Sequence, residues 1–140
     1  MQEELGRFHH LGLACRTFGE EYDGLAALGY RAESEPIADP LQKVRVQFFT
    51  CALSGAGPRI ELVEPLEEGS PVSGWLKRGA KLYHLAYEVP GLEKTLQSLE
   101  EQGFAQISEP LPAVAFGMRR ILFVISPSRY LVELIEEEKT

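Results

Sequence analysis

From Phe8 to Cys15 the chain alternates, with Phe8, His10, Gly12 and Ala14 on one face of a strand and His9, Leu11 and Leu13 on the other. The leucine face suits packing beneath a helix, while small neighbours beside His10 leave open volume over its face. The period then lengthens, with Phe18, Tyr22, Leu25 and Ala26 at helical spacing. Thr17 and Glu20 predict a capping box at the start of that helix, and Gly29 predicts a left-handed end. Tyr30 to Ile37 reads as a strand weakened by Pro36, and Asp39-Pro40 as a turn. Lys43 to Thr50 is an alternating strand with Val44, Val46 and Phe48 on one side, and Ser54 to Pro58 has the chemistry of a hairpin connection. In the next strand, Arg59 to Val63, Glu61 points away from Ile60 and Leu62. A polar connection, Pro65 to Ser70, leads to a short helix, Val72 to Arg78, carrying Trp75 and Leu76. Then come a strand Leu82 to Val89, a helix Leu92 to Gln102, a strand Phe104 to Ser108 and a loop interrupted by Pro110 and Pro112. Strands Arg119 to Ile125 and Tyr130 to Ile135 follow, and Glu136 to Thr140 reads as a charged tail.

This order is strand, helix, three strands, twice over, which predicts an α+β fold. The residues repeat with the elements. Laying R-F-H-H-L-G-L-A-C over K-L-Y-H-L-A-Y-E-V puts His10 on His84, Leu25 on Leu99, Gly29 on Gly103 and Tyr30 on Phe104. Each half closes on an echo, I-E-L-V-E and V-E-L-I-E, with Glu61 and Glu133 in matching places. A chain of 140 residues is too short for two ordinary domains. The halves are therefore expected to be modules of one domain spanning 1–140: about 7–64, a bridge 65–80, and about 81–136.

Composition changes this picture little. Hydrophobic residues are 44% and charged residues 25%, as in ordinary globular proteins. A net charge of −7 argues against a nucleic-acid partner, which requires a basic footprint. A local anion pocket is compatible with it; Lys43, Arg45, Arg119 and Arg120 are the candidates, although each also reads as solvated surface charge. No apolar run is long enough to cross a bilayer, and Met1 to Arg7 does not read as a signal peptide. Two cysteines, Cys15 and Cys51, are too few for a disulfide framework. A cytoplasmic protein without a membrane partner is expected.

The candidate chemistry lies in the repeat. Of three histidines, two fall on equivalent positions, while His9 faces the other way and reads as structural. Taken singly, Glu61 and Glu133 read most plainly as solvent-facing residues of one-sided strands. Their pairing with His10 and His84 across a pseudo-twofold repeat favours a shared site instead. Two imidazoles and two carboxylates without a thiolate suit Zn, Ni, Co, Mn or Fe. An octahedral ion held by four such groups keeps two positions for water or substrate, polarises a carbonyl, and leaves a Glu to carry a proton.

His9-His10-Leu11-Gly12-Leu13-Ala14, Arg59 to Leu66, Ser70 to Gly79, Leu82 to Val89 and Leu131 to Leu134 carry a resemblance across nearly the whole chain. It resembles the vicinal oxygen chelate superfamily, the glyoxalase and bleomycin-resistance fold, and within it the methylmalonyl-CoA epimerases most. The resemblance implies two paired βαβββ modules forming one curled mixed sheet around a metal site. It places the metal ligands on His10, Glu61, His84 and Glu133, with Glu133 and Glu61 as catalytic groups. It implies a divalent cofactor (Co, Ni, Zn or Mn), a small-molecule substrate such as a CoA thioester, and a homodimer. Three departures concern the substrate side. Val46 stands where some epimerases have a further Glu, and Pro112 to Met118 replaces a Gly-rich loop. Ile125 to Tyr130 is shorter than the family's usual connection.

The leading expectation is a metal-dependent epimerase or isomerase moving a proton alpha to a carbonyl or thioester. A glyoxalase I-type lactoylglutathione lyase uses the same ligand set and is the alternative enzyme. A metal-free small-molecule binding protein of the resistance type is the alternative from another class.

Overall fold

The computed structural model describes residues 5–51 and 57–138. The fold is α+β: its strands belong to a mixed, ten-stranded sheet that curls without closing, accompanied by three α-helices. Contacts divide the chain into two compact units, His10–Tyr83, and the described residues of Met1–His9 together with those of His84–Thr140. Residues 65–80 fall in the first of these units, and the first strand begins in the second.

The first unit contains most of β1 (Arg7–Ala14), then α1 (Tyr22–Ala27), β2 (Tyr30–Ala32), β3 (Ile37–Asp39), β4 (Val44–Cys51), β5 (Ile60–Pro65) and α2 (Pro71–Lys77). Its strand order is β2-β4-β5-β1, with β3 also pairing β4. Strands β1 and β5 run parallel, while β4 and β5 are antiparallel. One sheet face packs Phe49, Ile60 and Leu62 with Cys15 against Phe18 and Leu25, and Leu13 joins them as the sequence pattern predicts. The other face is left to His10, Gly12, Phe48 and Glu61.

The capping box does not form. Thr17 makes no side-chain cap bond to the short 3-10 turn Phe18–Glu20. Instead the Glu64 carboxylate, reaching from β5, accepts the Phe18 N–H at 2.8 Å and holds Arg45 Nη1 at 2.8 Å with its other oxygen. A long-range carboxylate replaces a hydroxyl next door, which local spacing cannot reveal. Glu64 is buried, so Glu64→Ala is expected to cost about 1–3 kcal/mol, read as a lower urea midpoint at unchanged slope. A midpoint equal to that of the parent protein would refute this account of the cap. Gly29 and Gly103 do end their helices at φ 90° and 94°, where a side chain would be strained.

The second unit repeats the plan with most of β6 (Leu82–Val89), then α3 (Leu92–Glu101), β7 (Ala105–Gln106), β8 (Leu111–Ala113), β9 (Arg119–Ile125) and β10 (Leu131–Glu136). Its strand order is β6-β10-β9-β7, with β8 also on β9, and β6 is parallel to β10. Leu92, Leu96 and Leu99, one stripe of α3, cover Val89, Leu122, Val124, Val132 and Leu134.

The expected strand Tyr30 to Ile37 is two short strands, β2 and β3, both bonded to β4 and separated where Pro36 removes a donor. Phe104 to Ser108 shrinks to the two residues of β7. The expected loop at Pro112 holds β8, in which proline is tolerated at a short edge strand. Glu136 belongs to β10 rather than to a tail. The Ser54 to Pro58 turn falls largely outside the described residues, although β4 and β5 are antiparallel as a hairpin requires.

Candidate functional site

Each unit brings one His and one Glu together on the sheet face turned away from its helix. In the first, His10 is fully buried and its Nε2 lies 3.2 Å from Glu61 Oε1. In the second, His84 Nε2 lies 3.3 Å from Glu133 Oε1, and both side chains are buried. Strand register explains the proximity. Glu61 is the Cα partner of Gly12 and Glu133 that of Ala86, each the small residue two places after the His.

An aromatic wall completes each pair, and sequence reasoning assigned it no role at the site. Phe48 lies opposite Glu61 in the β4–β5 register, and its ring stands edge-on to His10 at 5.5 Å and 77°. Phe123 lies opposite Glu133 in the β9–β10 register and meets His84 at 5.3 Å and 76°. The repeat held the signal, because Phe48 and Phe123 occupy matching places in strands that the pattern identified. The rings stand against the imidazoles, and burial of the His and Glu side chains strengthens electrostatic interactions within each pair.

Buried carboxylates persist in proteins when they are paired or bind a cation. His10, Glu61, His84 and Glu133 are buried and offer one imidazole nitrogen or carboxylate oxygen apiece, a His/Glu group able to hold a metal ion. The cysteines stand outside it. Burial above all pushes the Cys15 thiol up to about 12, and it donates to the Val63 carbonyl, so it is neither a thiolate ligand nor a nucleophile. His9 packs edge-on against Phe116 at 5.3 Å, in keeping with a structural role.

The candidate anion-binding residues separate. Arg45 is held by Glu64 on the helix side of its sheet. Arg120 is held by Glu136 and by Glu93 of α3, and so fastens that helix to the sheet. Lys43 precedes β4 in a left-handed conformation, φ 60°. Arg119 alone of the four shares a sheet face with His84 and Glu133. Leu122 and Val124 of β9 face α3, so Arg119, Ile121 and Phe123 face the other way. Its Nη1 meets Glu88 Oε2 at 2.8 Å, and Glu88 follows His84 and Ala86 along the same face of β6. The bond from Arg119 holds the Glu88 carboxyl below the usual carboxylate range against the opposing effect of burial, with His9 and Arg7 adding to the pull.

Among the described residues no helix is long and apolar enough to cross a membrane. Residues 9–123 match the family model described as Glyoxalase/Bleomycin resistance protein/Dioxygenase superfamily. The chain is 34% identical to the Bacillus subtilis protein YqjC, described as uncharacterized, over 94% of this chain and 93% of that one. It is 29% identical to an ethylmalonyl-CoA/methylmalonyl-CoA epimerase of Cereibacter sphaeroides, covering 96% and 98%. Among solved structures it is similar in fold to a Streptomyces coelicolor methylmalonyl-CoA epimerase variant in complex with 2-nitronate-propionyl-CoA. That match has a TM-score of 0.75 and 23% identity, covering 97% of this chain and 100% of the other.

Proposed function

The chain belongs to the glyoxalase/bleomycin resistance protein/dioxygenase superfamily, and from that premise we propose that it is a divalent-metal-dependent isomerase acting on an acyl thioester. It moves the proton next to the thioester carbonyl, as an epimerase of methylmalonyl-CoA type does. The observation that carries this reading is the buried His–Glu pair, present once in each half with the same register and the same aromatic wall. Similarity to an epimerase acting on branched malonyl thioesters supports the choice of substrate class.

His10, Glu61, His84 and Glu133 would hold one ion, and their chemistry fits it. Imidazoles ligate as neutral groups and glutamates as anions, so the set carries two negative charges for a divalent cation to offset. When bound, such an ion polarises the thioester oxygen and stabilises the negative charge that develops there. The protein supplies the proton transfer. Glu133, oriented by His84, takes the proton from the carbon beside the carbonyl, and Glu61 is the matching acid or base from the other half. Val46 is buried and apolar where some relatives carry a further Glu, so β4 contributes no proton here. Phe48 and Phe123 keep bulk water from the reacting carbon.

Proton–deuterium exchange followed by NMR in D2O tests the reading. Methylmalonyl-CoA is expected to exchange at C2 when Co, Ni, Zn or Mn is supplied, and not after chelation. Turnover of a glutathione hemithioacetal in place of exchange would make the chain a lyase. Inertness toward both compounds with every ion would sink the enzymatic reading.

A further inference from the structure

We propose that Phe48 and Phe123 are positioning residues: each fixes the plane of the imidazole beside it, so that His10 and His84 hold Nε2 oriented for an ion. The proposal rests on the reading of His10, Glu61, His84 and Glu133 as metal ligands, and adds the groups that set how tightly those ligands bind. The need arises from the imidazole itself. Rotation about its χ2 is broad and roughly two-fold, so burial alone does not fix where the ring nitrogens point. Two restraints are required, one on which edge faces the carboxylate and one on the tilt of the ring plane. Glutamate supplies the first: a half-turn would put carbon in place of Nε2, which lies 3.2 Å from Glu61 Oε1 in His10 and 3.3 Å from Glu133 Oε1 in His84. That contact restrains tilt only weakly, because Nε2 lies close to the χ2 axis.

The phenylalanine ring supplies the second. Phe48 stands 5.5 Å from His10 at 77°, and Phe123 stands 5.3 Å from His84 at 76°, both near the edge-on arrangement that aromatic pairs favour. Tilting an imidazole would carry it off that geometry. Register ties each ring to its own pair, since Phe48 is the Cα partner of Glu61 and Phe123 that of Glu133. The contact is also kept while its neighbours change. Gln47 and Phe49 flank one ring, and Leu122 and Val124 flank the other, yet the two contacts agree closely in distance and angle. Packing against the helices is left to those neighbours, Phe49 in the first unit and Leu122 and Val124 in the second. A ligand already held in its bound orientation loses little freedom when the ion arrives, and affinity rises accordingly.

The test replaces each ring in turn by leucine, which keeps apolar bulk without a flat face, and follows the two histidines separately. In metal-free protein, proton–nitrogen NMR of the imidazoles is expected to give sharp signals from both rings in the parent. Phe48→Leu is expected to broaden or shift the signals of His10 and spare those of His84, and Phe123→Leu to do the converse. Calorimetric titration with Zn is expected to show binding weakened about tenfold or more in each variant, the scale of effect seen when groups supporting metal ligands are removed. Phe123→Tyr keeps the ring and is expected to restore both the His84 signals and the affinity. Folded leucine variants with parental imidazole signals, or with affinity within about twofold of the parent, would overturn the role of the rings. Disturbance of both histidines by either substitution would overturn it as well, since that marks general loosening. Failure of the parent protein to bind Zn, Co, Ni or Mn would count against the ligand reading instead, and the imidazole signals would still decide whether the rings fix the histidines.

Discussion

Glu133→Gln is expected to slow C2 proton exchange of methylmalonyl-CoA by about 10²–10⁴-fold, the usual range for losing a general base, while the bound ion remains. The amide keeps an oxygen in the carboxylate's place and keeps its size, so the packing beside Ala86 and Phe123 is undisturbed. It loses the ability to accept a proton from carbon. Exchange rate and metal content measured on one preparation separate the two roles. A fall in rate with the ion retained identifies a base, and loss of both identifies a ligand whose charge is needed for affinity. Exchange within threefold of the parent, with the ion bound, would remove Glu133 from the chemistry and leave proton transfer to Glu61.

The two His–Glu pairs were legible in the sequence because both parts of each pair sit on strands whose period is two. Once His10 and Glu61 each face away from apolar neighbours, parallel pairing of β1 with β5 brings them to one face. The same holds for His84 and Glu133 through β6 and β10. The capping of Phe18 by Glu64 was not legible, since that contact depends on β5 folding back beside the end of β1. The short edge strand β8 escaped for a related reason: its bonds to β9 come from tertiary register, and Pro112 argues locally against a strand.

The four cations show the limit most clearly. Composition and spacing treated Arg119 and Arg120 alike, although adjacent strand residues point to opposite faces by necessity. The packing of Leu122 and Val124 with α3 decides which face is which: Arg120 fastens the helix, while Arg119 lies on the face that carries His84 and Glu133.

Protein purified without added chelator is expected to hold about one divalent ion per chain, and His10→Ala and His84→Ala are each expected to lose most of it. Each substitution removes a neutral donor and leaves a buried glutamate beside an emptied position, so the remaining three groups bind more weakly while carrying the same negative charge. Because both pairs are proposed to share one ion, the two losses should not add: the double variant should bind scarcely more weakly than either single one. Stability gives an independent readout. At an ion concentration near one hundred times the dissociation constant, binding contributes about 2.7 kcal/mol, which raises the melting temperature of a chain this size by roughly 5–10 °C. Chelation should abolish that increment in the parent protein and change little in either His variant. If His10→Ala keeps its ion while His84→Ala loses it, the ion belongs to the second pair alone, and the two-half site is wrong. Equal melting temperatures with and without ion in the parent protein would remove the metal from the account, leaving the His–Glu pairs as buried structural contacts.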